Sequence, residues 1–79
     1  MPDHKTHAIQ CLYQEALADK SKAELSLDLL LSKAVGIGDH STGDFYQNLR
    51  EALDGLVDAE DRIQLLKSRY PENVQKMVQ

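Results

Sequence analysis

Three side chains near the start of the sequence could bind a metal. His4, His7 and Cys11 are spaced i, i+3, i+7. That spacing puts them on one face of a helix, and imidazole and thiolate are both zinc ligands. Three ligands leave a tetrahedral site one short, and intracellular zinc sites show denser Cys/His clustering than this. A solvated histidine pair beside a small apolar cysteine is the preferred reading. A second polar cluster, Asp39, His40 and Asp44, lies mid-chain. A histidine flanked by carboxylates could act as a base or a ligand, but helix capping calls for the same residues. A helix of about thirty residues between the clusters would hold them roughly 45 Å apart, so they cannot cooperate within one chain. Gly36 and Gly38 form a Gly-x-Gly, which cradles phosphate only when a strand precedes it, and none does. No Ser-His-acid set, P-loop, paired catalytic carboxylates or Glu-x-x-His pair stands out. The sequence therefore reads as non-enzymatic and without a cofactor.

The elements that must position these groups are helices. Asp3 to Ala34 and Asp44 to Tyr70 are free of proline, and the stretch between holds three of the four glycines. It is the only real break. In the second segment Phe45, Leu49, Ala52, Leu56, Ala59, Ile63, Leu66 and Tyr70 recur in alternating steps of four and three. That is a heptad seam, incompatible with the period of two that a strand needs. The first segment repeats the spacing with Ile9, Tyr13, Ala16, Lys20, Ala23, Leu27, Leu30 and Ala34. The fold class is all-α: an antiparallel two-helix hairpin, with helices over about 4–34 and 41–70. Pro71 must interrupt the second helix. Beyond it, PENVQKMVQ has apolar residues at helical spacing and forms either a short turn or a tail.

Folding the chain at the turn places residues equidistant from it opposite each other. The layers are Ala34 with Phe45, Leu30 with Leu49, Leu27 with Ala52, Ala23 with Leu56, Lys20 with Ala59, Ala16 with Ile63, Tyr13 with Leu66, and Ile9 with Tyr70. In five of the eight, an alanine faces a larger residue, which is how facing helices interdigitate at native density. Lys20 fits because its stem can lie over Ala59 while the ammonium snorkels out, with Glu60 near enough to receive it. At the turn, Gly36 suits the C-cap of the first helix. Asp39 or Ser41 suits the N-cap of the second, with Ser41-x-x-Asp44 a variant capping box. Gly38 and His40 complete this turn, and Ile37 is expected to plug the end of the core as a hydrophobic staple.

The 79 residues form a single domain, 1–79, and domains this small are marginal without a metal, a disulfide or a partner. The lone Cys11 excludes an internal disulfide and fits a reducing cytoplasm. No signal peptide is visible, and the longest apolar run, Leu29-Leu30-Leu31, is far too short to span a bilayer. A net charge of −4, from 13 acidic and 9 basic residues, disfavours nucleic acid and anionic membranes as partners. Leu12, Leu17, Leu25, Leu29, Leu31, Leu53, Val57 and Leu65 fall outside the seam. A helix apolar on more than one face is buried on more than one face. Pairing two hairpins into a four-helix bundle would bury these residues, so a homodimer is expected. The alternative is a three-helix monomer whose tail folds back over part of the patch. The leading function is a protein-interaction or regulatory module. The alternatives are a metal or small-ligand binder using His4, His7 and Cys11 or the Asp39 and His40 turn, and an RNA-binding regulator using Arg50, Arg62, Lys67 and Arg69.

The turn residues Val35, Gly36, Ile37, Gly38, Asp39 and His40, followed by a Leu/Ala helix through Leu66, resemble a group of small bacterial and phage proteins. Those proteins carry a VGIGDH- or VGIGEH-type turn between two helices. The resemblance implies a helical hairpin and transfers no catalytic residue. This chain departs from the pattern after the histidine, where it has Ser-Thr-Gly-Asp. The hairpin is also similar in shape to dimeric RNA-binding regulators of the Rop type, a likeness that carries no function by itself.

Overall fold

The computed structural model describes residues 3–37 and 43–76. Helix α1 spans His4–Ile37 and α2 spans Gly43–Arg69, and a short α3 spans Pro71–Gln75. No strand occurs among the described residues. The molecule is a rod 58 Å long and 19 by 16 Å across, and α1 packs along α2. All sixteen seam residues are buried or half-buried. Ala16 and Ala59 are fully enclosed, and Ile9, Ile63 and Leu66 nearly so. The small residues permit this closeness: an alanine in a layer lets the opposite backbone approach and leaves room for the larger partner.

Helix α1 begins with a well-made cap. Asp3 accepts from the backbone N–H of Lys5 at 3.1 Å and from the Thr6 hydroxyl at 2.6 Å. Its own carbonyl receives the N–H of His7 at 2.9 Å. It thereby satisfies donors that the first helical turn cannot pair internally. The cap had no counterpart in the sequence reading, which started the helix in the right place without naming the residue responsible.

Helix α1 departs from its expected bound at the turn. Helix α1 runs to Ile37, past the expected end near residue 34. Gly36 is therefore a helical residue and not a C-cap. Once a helix is nucleated, each added residue contributes a hydrogen bond, and one glycine costs only about 1 kcal/mol relative to alanine. Among the described residues helix α2 starts at Gly43, with Asp44 in its first turn at the favourable end of the dipole, and the expected start at residue 41 lies outside them. Gly38, Asp39, His40 and Ser41 lie outside the described residues, as does the side chain of Ile37.

At the far end, Tyr70 leaves the helical conformation with φ −133° and ψ 53°, and Pro71 opens α3. The interruption follows from proline's missing N–H and its clash with a helical predecessor. The chain then turns onto α1 and α2, packing against both. Val74 joins Ile9 and Leu66 in a buried cluster flanked by Tyr13 and Tyr70. The tail thus closes the open end of the hairpin. Thr6, also buried, accepts from the Asn73 amide at 2.6 Å while donating to Asp3. These two residues are equidistant from the turn, so the hairpin register continues across the proline break. Gln10 donates to the Asn73 carbonyl at 3.4 Å, and the Lys5 ammonium lies 5.6 Å from the centroid of the Tyr70 ring, within cation–π range.

Two predictions follow from this packing. Ile63→Ala should cost about 2–5 kcal/mol through cavity formation and Ala16→Ile about 1–3 kcal/mol through overpacking. The double variant should recover part of both losses in urea unfolding, because the two side chains share one layer. The hydrogen bond from the Thr6 side chain, followed by that from its backbone, holds the Asp3 carboxyl below its ordinary value of 3.8. A depressed acid stabilises the fold above that value and loses its effect as pH falls through the folded-state value. The gap in melting temperature between the natural chain and Asp3→Ala should therefore be full at neutral pH and narrow on acidification below 3.8.

Candidate interaction surface

The two long edges of the hairpin are chemically different. In an antiparallel pair, the positions just after one set of seam residues face each other along one edge, and those just before the other set face each other along the opposite edge. Along the second edge, Arg62 of α2 reaches Asp19 of α1 at 3.1 Å and Glu15 at 3.9 Å. All three side chains are at least a third exposed, so this bridge contributes little to stability. It does mark the edge as charged and tied across.

The first edge carries Leu17 and Leu31 of α1 and Tyr46 and Leu53 of α2, each immediately following a seam residue. A groove runs between the helices here. Its turn-proximal half is lined by Leu27, Leu31, Tyr46, Leu49 and Leu53, with Arg50 and Asp54 at the margin. Its other half is lined by Tyr13, Leu17, Lys20, Ile63 and the charged residues Glu60, Asp61 and Lys67. The Arg50 guanidinium stands 5.6 Å from the Tyr46 ring centroid. Lys20 and Glu60 share the polar half, but the expected ion pair between them is not among those formed by the described residues. An ion pair near the surface would add little to the hydration the half-buried lysine keeps at its ammonium.

The leucines outside the seam remain uncovered. Leu12, Leu17, Leu25, Leu29, Leu31, Leu53, Val57 and Leu65 are between 40% and 62% exposed, and Tyr46 is 61% exposed. They are not one surface. Leu17, Leu31, Tyr46, Leu53 and Val57 belong to the grooved edge. Leu12 and Leu65 flank the charged edge, and Leu25 and Leu29 lie toward the back of α1. Helix α3 covers none of them, because it is spent on the open end. Sequence reasoning missed Tyr46. The seam pattern claimed its neighbour Phe45, and the only signal for Tyr46 was its equivalence to Leu53 one heptad later.

The candidate metal ligands are only partly assembled. The Cys11 sulfur lies 3.7 Å from His7 Nε2, and both residues are exposed. No group of three or more possible ligands occurs among the described residues, so His4 does not complete the set. Asp39 and His40 lie outside them. The basic residues considered for RNA are divided: Arg62 and Arg69 belong to the charged edge, Arg50 and Lys67 to the grooved one. None of the described helices is long and apolar enough to cross a membrane. Compared with protein-family models, curated proteins and solved structures, the chain gives no match.

With two ligands in contact and no third beside them, zinc should bind this end weakly. Titration of the reduced protein with Zn²⁺ should leave its melting temperature unchanged. A rise of several degrees, abolished by His7→Ala, would show a site that these side chains assemble only around the ion.

Proposed function

We propose that this chain is a small non-enzymatic interaction module that works in the cytoplasm as a homodimeric helical bundle. The observation that carries the reading is the group of exposed apolar side chains on the turn-proximal half of the grooved edge, Leu31 on α1 with Tyr46, Leu53 and Val57 on α2. Soluble monomers rarely leave a contiguous apolar patch of this kind in water, and such patches mark association surfaces. The hairpin already spends its best packing on one seam, so its second apolar edge is available to a partner. A two-fold dimer is the simplest assembly that gives every copy the same cover.

Sedimentation equilibrium at micromolar concentration should find a dimer. Leu31→Glu combined with Leu53→Glu should shift it to monomer while helicity is retained, because both side chains are outside the hairpin seam. A natural chain that stays monomeric at these concentrations would overturn the homodimer.

A further inference from the structure

The grooved edge also carries information about how a second copy would lie on it. Resting on the homodimer reading, we infer that two hairpins pair through this edge with their turns at the same end, α1 of each copy lying on α2 of the other. Within one chain the groove-facing positions sit side by side as Leu31 with Tyr46, Glu24 with Leu53, Leu17 with Glu60, and Gln10 with Lys67. A two-fold axis parallel to the helices keeps each residue at its own level. Leu31 then meets the second copy's Tyr46, and the apolar turn-proximal halves of both grooves close on each other. At the far end Gln10 and Lys67 also meet like with like in polarity and stay wet, while the two middle levels set Leu53 against the second copy's Glu24 and Leu17 against its Glu60. One position further out, Asp28 comes opposite the second copy's Arg50, and the two-fold repeats this opposite-charge pair. Arg50 is already held at this edge by the Tyr46 ring. Lys20 acquires the second copy's Glu60 across the interface.

The opposite arrangement, with turns at opposite ends and full overlap, lays each helix on its own copy. Every apolar groove position then faces a polar one: Leu31 meets Gln10, Leu17 meets Glu24, Tyr46 meets Lys67, and Leu53 meets Glu60. Burying an apolar side chain against a polar or charged group forfeits apolar contact and desolvates the polar group, and this packing does so at all four levels where the same-end packing does so at two. The rod face, 58 by 19 Å, is large enough for two copies in full register to bury on the order of 1,600 Å², the size of a stable interface. The charged edge is already bridged by Arg62 to Asp19 and Glu15.

Disulfide trapping separates the two geometries. Cys11→Ser is placed in every variant, and Leu31→Cys and Tyr46→Cys are made in separate chains that are mixed and mildly oxidised. The same-end arrangement predicts a covalent heterodimer as the dominant product. It predicts at least several-fold less product from Leu31→Cys mixed with Gln10→Cys, the pair that the opposite arrangement would join. The reverse preference, in material that sediments as a dimer, would overturn the same-end arrangement and leave the homodimer standing. A dimer that traps neither pair would likewise overturn it. Protein that sediments as a monomer and traps nothing would overturn both readings.

Discussion

The close approach of α1 and α2 is the constraint from which the rest of the structure follows. Alanine recurs in the seam opposite Phe45, Leu56, Ile63 and, on the other helix, Leu27 and Lys20. Two helices with large residues on both sides of every layer would stand further apart and leave voids. Here five of the eight layers set an alanine against a larger side chain, and Ala16 and Ala59 vanish from solvent. A slip of one layer would bring large side chains against each other and leave alanines facing alanines. Register, burial and the positions of the two edges are therefore a single property.

The seam also explains why the polar chemistry sits where it does. The open end of a hairpin has no covalent turn to close it. The chain closes it instead with α3, which brings Val74 onto Ile9 and Leu66. Burying Thr6 there would strand its hydroxyl. Asn73 donates to it and Asp3 accepts from it, so a buried polar group becomes a link between the first cap and the last helix. The edges divide the remaining work. One is crossed by Arg62 and solvated, and the other is left apolar over its turn-proximal half.

Much of this was legible in the sequence because heptad spacing is a strong signal. The seam residues from Ile9 to Ala34 and from Phe45 to Tyr70 could be written down with their partners, and the leucines outside it could be named as uncovered. Three features were harder. The end of α1 was misjudged at Gly36, because a single-residue preference worth about 1 kcal/mol loses to the extension of a long helix. The closure by α3 was ambiguous, because PENV has helical spacing but too few residues to declare a partner. The Thr6–Asn73 bond joins residues far apart in sequence, and no local pattern announces such a pair. For the candidate surface, residue identity was readable while grouping was not. Only the packed hairpin divides the leucines between edges and adds Tyr46 to one of them.

The pairing of equidistant residues also gives the molecule an order of assembly. Leu30 meets Leu49 soon after α2 begins to emerge from the ribosome, whereas Ile9 must wait for Tyr70 and Thr6 for Asn73. Each new layer forms beside one already in place, so loop closure is met once, at the turn, and the cost of later layers is small. The hairpin can therefore close like a zipper in step with translation, and the bond between Thr6 and Asn73 fastens its end. Until then the N-terminal turns of α1 wait with their seam residues open to solvent.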